Sequence, residues 1–148
     1  MQLKSSAFSD GGEIPRECGY KNGNKEPTLA ISGLPDETES LALIMDDPDA
    51  MGAVGKVWVH WVAWNIISTH TDMDDIFSNN RRNLGMPDFG EVGYGGPAPP
   101  DKRHTYVFKL YALDSELDLP KESTKAEVEK AMEGHIIEQA TLTGTYAP

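Results

Sequence analysis

A chain of 148 residues has the length of one domain and can bury roughly 70% of its unfolded surface. Its apolar fraction of 39% and charged fraction of 25% exclude a disordered or fibrous protein. A net charge of −11 opposes docking on nucleic-acid phosphates and on anionic lipid, so any anion site must be a local pocket working against the global field.

One cysteine, Cys18, excludes an internal disulfide and is read as a structural thiol. The N-terminal residues carry no apolar stretch of signal-peptide length, and the most apolar segment, Val57–Trp64, is far too short to span a bilayer. The expected location is therefore cytoplasmic. No linker divides the chain, so residues 1–148 are expected to form a single domain.

In chain order, the first 27 residues are polar and punctuated by Gly11, Gly12, Pro15, Gly19, Gly23 and Pro27, which predicts strand fragments joined by turns. Three apolar runs follow. Thr28–Ser32 is closed by Gly33-Leu34-Pro35, and Leu41–Met45 is a second strand. In Val57–Ile67, period-2 alternation puts Trp58, His60, Val62, Trp64 and Ile66 on one face, and Val57, Val59, Trp61, Ala63 and Asn65 on the other. Both faces are apolar, which predicts a central strand.

Residues 68–92 are poorly patterned, and Asn79, Asn80, Arg81, Arg82 and Asn83 suggest an exposed loop. Gly93–Pro100 is too rich in Gly and Pro for regular structure. His104–Leu113 is a strong strand with His104, Tyr106, Phe108, Leu110 and Ala112 on one face. Thr124-Lys125-Ala126-Glu127 fits a capping box, and Val128, Ala131, Met132, His135 and Ile136 recur at helical spacing. His135 is accordingly placed on the packed face. Thr141–Tyr146 closes the chain as a strand. Strands do not alternate with helices, so the expected class is mainly β: antiparallel sheets packed as a sandwich, with one or two peripheral α-helices.

Four features carry chemistry. Asp47 ends an apolar strand, and Pro48 forces it out of helical geometry. His60 lies within a strand between Trp58 and Trp61. His104 and Tyr106 share a face two residues apart. The glycines of 93–96 let a backbone come close to a ligand and present N–H groups to an anion. Each has a plain structural reading: a solvated Asp-Pro turn, a packed histidine, an edge-of-sheet pair. Together they form an oxyanion receptor in which imidazoles and a phenol donate and the carboxylate charges one imidazole.

The same residues also carry a resemblance. Asp47-Pro48-Asp49-Ala50, Trp58-Val59-His60-Trp61, Gly93–Pro100 and His104–Asp114, in this order, resemble the phosphatidylethanolamine-binding proteins, also called the Raf-kinase-inhibitor-protein family, and most closely its short prokaryotic branch. The resemblance implies two packed antiparallel sheets and a small cavity for phosphate, acetate or phospholipid head groups. Its acid matches Asp47, with Asp49 as a second candidate. Its histidines match His60 and His104, its tyrosine Tyr106, and its rim Gly93, Gly95, Gly96 and Pro97. Two positions depart from the pattern. Met51 stands where proline is usual, and Thr105 where arginine is usual, with Arg103 as a substitute charge.

The leading expectation is binding of a small anion or phospholipid head group. The alternatives are a regulatory inhibitor of a kinase or protease, and a hydrolase using Asp47, His60 and His104 as a metal triad or as acid and base. A second copy of the chain is a further candidate partner. Nothing in the sequence calls for a cofactor or a structural metal, and no Gly-x-Ser-x-Gly elbow is present.

Overall fold

The computed structural model describes residues 1–79 and 81–148. Two antiparallel sheets form the framework. Strands β1 (Gln2–Ser5) and β2 (Leu29–Ser32) make the smaller one. The larger has the order β5-β4-β3-β6-β7, from β3 (Ser40–Asp47), β4 (Trp58–Ile67), β5 (Asn83–Leu84), β6 (His104–Leu113) and β7 (Ile136–Tyr146). All eight residues of β3 are buried, because β3 is central and covered on both faces. On one face Leu41, Leu43 and Met45 meet Leu3, Leu29 and Ile31 of the small sheet. On the other, Ala42 and Ile44 join Val62, Trp64 and Leu117 under helix α2 (Lys125–Met132), which contributes Val128 and Met132. Burial of each of those two side chains stabilises the domain by about 1.5–3 kcal/mol.

The alternation expected along β4 fails at His60. Met45 pairs with Trp61 and Asp46 with Val59, so His60 is an extra residue opposite the β3 ladder. Such a bulge sends two adjacent side chains to the same side. Trp61 packs in the core beneath the small sheet, and the His60 ring stands at 87° to the Tyr106 ring on that same face. Val59 and Val62 both face α2. A second irregularity separates the Leu41 and Leu43 pairings, where Asn65 has φ 51° and returns Ile66 to the face of Trp61 and Ala63.

Other expectations change for local reasons. β3 runs on to Asp47, which delivers Asp46 and Asp47 to opposite faces. A short helix, α1 (Ala50–Val54), follows it and ends at Gly55 with φ 79°, a left-handed cap that glycine adopts without strain. The capping box of α2 forms as expected, with Thr124 accepting from the Glu127 amide. However, α2 stops at Met132, and Gly134 turns the chain at φ 81°. His135 is therefore not packed. It is exposed and its Nδ1 meets Asp114 at 2.8 Å. β7 begins at Ile136 rather than Thr141, and its first four residues are exposed, so no apolar alternation announces them. The first 27 residues contain a single regular strand, β1, and a 3-10 turn over Arg16–Cys18.

The loop expected at 79–83 is partly ordered. Asn83 and Leu84 pair with Trp64 and Ala63 as an edge strand. Arg82 holds Glu26 at 3.2 Å and lies over the Phe77 ring. Asn80 lies outside the described residues.

Candidate functional site

Asp47, His60, His104 and Tyr106 line one cavity of about 140 Å³. Asp47 comes from the end of β3, His60 from the bulge of β4, and the other two from the start of β6. Ala50, Ala53 and Val54 of α1 supply an apolar wall, closed by Trp58 and Phe89 and by Ala98 and Pro100. The antiparallel register brings these elements together, since β3 lies between β4 and β6 and all three present the same end of the sheet.

The carboxylate of Asp47 is fully engaged. Oδ1 accepts from the amide of Asp49 at 3.0 Å, and Oδ2 accepts from Nδ1 of His104 at 2.6 Å. The other ring nitrogen of His104, Nε2, donates to Oδ1 of Asp101 at 2.7 Å. An imidazole between two carboxylates needs a proton on both nitrogens, so His104 is an imidazolium. Burial by itself would lower its pKa. The hydrogen bonds to Asp47 and Asp101, with their negative charge, outweigh that and raise it above the ordinary value. Asp101 responds in the opposite sense. Desolvation pushes its carboxyl up, but the hydrogen bond from His104, the backbone amides of Lys102 and Asp101 and the His104 charge together hold it below the usual range.

His60 is in the opposite state. It is 2% exposed, and burial lowers its pKa against smaller upward pulls from the Gly95 carbonyl and from Asp47. Its Nδ1 lies 2.7 Å from the Gly95 oxygen, which can only accept. Nδ1 thus carries the hydrogen and Nε2 keeps the lone pair. Beside it the Tyr106 ring is wholly buried, with centroids 5.1 Å from His60 and 6.4 Å from His104. Burial, then the charge of Asp47, raises its pKa against a smaller downward pull from the nearby Ala98 amide, which is too poorly aligned to count as a hydrogen bond, so the phenol keeps its proton. Among the described residues the Tyr106 hydroxyl has no hydrogen-bond partner.

The glycine segment acts one layer further out than the sequence suggested. Gly93, Gly95, Gly96 and Pro97 do not line the cavity. Their amides are spent internally: Gly93 donates to Gly85, Gly95 to the carbonyl of His60 and Gly96 to Asn24 Oδ1. Pro97 has no amide hydrogen, and its carbonyl accepts from Tyr20. Glycine is required here for close packing, because a Cβ on Gly95 would enter the Phe89 ring and one on Gly96 would strike the Cys18 carbonyl. The segment grips His60 from both its backbone and its ring. Asn24, at φ 52°, pins the segment through Tyr94 O and Gly96 N.

Asp49 is exposed and accepts from the Thr105 amide at 2.8 Å, bracing the turn rather than lining the cavity. Thr105 and Met51 are also exposed and outside the lining. Arg103 does not replace the missing family arginine in the pocket. It pairs with Glu13 and Thr145 on the β7 side. Cys18 is buried, and burial pushes its thiol up to about 11, which makes it unreactive. Among the described residues no group of three His, Cys, Asp or Glu side chains is arranged to hold a metal ion. Sequence reasoning missed Asp101, Phe89 and the α1 wall. Asp101 stands three residues before His104, but nothing periodic marks it.

A family model described as phosphatidylethanolamine-binding protein matches residues 4–147. The chain belongs to the phosphatidylethanolamine-binding protein family. A UPF0098 protein of Methanothermobacter thermautotrophicus is 44% identical, over 99% of this chain and 98% of that one. A UPF0098 protein of Chlamydia muridarum is 41% identical over the same shares. Among solved structures, CT736 of Chlamydia trachomatis, described as a homologue of phosphatidylethanolamine-binding proteins, superposes with a TM-score of 0.88 at 37% identity, covering 98% of this chain and 95% of that one. Escherichia coli YbcL, described as a member of the mammalian family, gives 0.84 at 31% identity, covering 98% and 96%. The two structural likenesses match the mainly β, two-sheet architecture. Among the described residues no helix is long and apolar enough to cross a membrane.

Proposed function

We propose that the cavity binds a small oxyanion, a phosphate or carboxylate, free or as part of a phospholipid head group. The observation that carries this reading is the Tyr106 hydroxyl: wholly buried, without a hydrogen-bond partner among the described residues, and carried by a ring that lines the cavity beside two histidines. Leaving a buried hydroxyl unpaired costs about 1–3 kcal/mol, and a ligand oxygen accepting its proton recovers that cost. A phenol kept protonated by its surroundings supplies a donor without adding charge. His60 supplies the second contact. As a neutral ring it accepts from a protonated ligand, and after taking up a proton it donates to an oxyanion. Either way one proton accompanies the ligand, because the Nδ1 hydrogen is committed to Gly95.

Binding therefore tightens as pH falls. Calorimetry with inorganic phosphate, phosphoethanolamine and Zn²⁺ between about pH 5.5 and 8 tests this; the pH range brackets the ordinary histidine pKa. The expected result is proton uptake and stronger oxyanion binding at the acid end, with His60→Ala removing the pH dependence. A metal site would show the reverse trend, since its histidines must lose protons. Oxyanion affinity that is flat or rises with pH would overturn the proposal.

A further inference from the structure

Both N–H groups of His104 are already taken, one by a deeply buried carboxylate and one by a carboxylate at the surface. The side chain of Asp47 is 4% exposed and that of Asp101 is 42% exposed. Asp47 orients the ring, since its 2.6 Å contact fixes Nδ1 and its other oxygen is anchored on Asp49. Asp101 is the second, more exposed contact, 2.7 Å from Nε2. It stands outside the cavity lining and takes the remaining ring nitrogen of His104 from the solvent side.

We propose that Asp101 is a built-in competitor: its carboxylate holds the place on His104 Nε2 that a ligand oxyanion would take, and binding proceeds by exchange of one for the other. The inference rests on the oxyanion reading of the cavity. The exchange is between like groups, a carboxylate for a phosphate or carboxylate oxygen, so the imidazolium keeps two charge-assisted hydrogen bonds throughout.

The segment that carries Asp101 has few backbone ties to the rest of the domain. Among the described residues, residues 98–103 make no backbone–backbone hydrogen bond in turns or loops, and two of them, Pro99 and Pro100, have no amide hydrogen to give. Side chains tether it: Asp101 to His104, and Arg103 to Glu13 and Thr145. The same segment is also a partition. Ala98 and Pro100 line the cavity of about 140 Å³ on one side and a second one of about 290 Å³ on the other, where Arg16 and Lys21 stand. With Asp101 docked, the first cavity is below the roughly 300–1,000 Å³ of ordinary ligand sites. Release of Asp101 frees the wall between the two, and the wider site gains two cations in a protein of net charge −11.

The test is inorganic phosphate binding to the full chain at about pH 6.5 by calorimetry, with the His104 ring followed by NMR; that pH lies at the ordinary histidine pKa. The variants are Asp101→Ala, Asp101→Asn and, as a control for one lost negative charge elsewhere, the exposed Glu116→Gln. Asp101→Ala is expected to bind phosphate on the order of tenfold more tightly, Asp101→Asn to fall in between, and Glu116→Gln to match wild type. The Nε2–H signal of His104 shifts in Asp101→Ala and is restored towards its wild-type position by phosphate. Wild type that binds phosphate at His104 while Asp101→Ala binds no more tightly, or more weakly, overturns the competitor and leaves the oxyanion site standing. If neither wild type nor Asp101→Ala binds phosphate, both fall.

Discussion

Asp47→Asn is the most informative single change, because the carboxylate accepts on both oxygens. His104 Nδ1 and the Asp49 amide each take one. Asparagine is nearly isosteric but has one acceptor oxygen, so one of the two donors is orphaned. The charge-assisted bond to His104 is the larger loss, about 1.5–3 kcal/mol for a hydrogen bond to a charged group. Both side chains are almost wholly buried, so solvent screening does not reduce that figure. The loss depends on pH with a definite sign. The folded-state pKa of His104 is raised, so the proton-linked part of its contribution is fully present below the unfolded value of about 6.5 and fades as pH rises through the folded one. Urea unfolding of wild type and Asp47→Asn at about pH 5.5, 7 and 9 should show the largest difference at the acid end. At roughly 2–4 °C per kcal/mol for a domain of this size, the acid-side loss of about 1.5–3 kcal/mol lowers Tm by about 3–12 °C. The His104 pKa, read by NMR, should fall in the variant. A stability difference that is flat with pH, or that grows towards pH 9, would refute the imidazolium bridging two carboxylates.

Two further outcomes follow from the same geometry. Tyr106→Phe removes a hydroxyl that has no partner, so thermal stability should hold or rise by about 1 kcal/mol while phosphate affinity drops, measured by paired melts and calorimetry; a marked loss of stability would show that the hydroxyl is satisfied within the protein. Gly96→Ala places a Cβ against the Cys18 carbonyl, a backbone atom that cannot step aside. It should cost about 2 kcal/mol or more and loosen the loop that grips His60, visible as a lower melting point together with a change in the His60 pKa.

Much of this protein was legible from residue order alone. Period-2 alternation from His104 to Ala112 placed both the β6 strand and the shared face of His104 and Tyr106, because β6 pairs along its length without a break near the site. The capping box at Thr124 was likewise local and correct, since both its hydrogen bonds close within three residues. Pro48 marks the place where the chain leaves the β3 ladder, directly after Asp47. The four cavity residues stand out twice in the sequence, as polar side chains placed on or at the ends of apolar strands and as parts of the motifs that carry the family resemblance.

Only tertiary structure decided the rest. The bulge at His60 arises where the β4 register slips against β3, and a slip of one residue is invisible in a strand that is apolar on both faces. Helical spacing carries α2 on through His135 and Ile136, whereas the open edge of β6 offers hydrogen bonds that claim Ile136 for a strand. The glycines after residue 92 looked like anion ligands, but their amides had partners elsewhere in the fold. The protonation states of the two histidines were the least legible feature. An imidazole's charge is set by what lies within a few ångströms of each nitrogen: a backbone carbonyl for His60, and for His104 one carboxylate from 57 positions away and another from three. Chain order records the residues, but the distances that set their charge exist only once the sheet has closed.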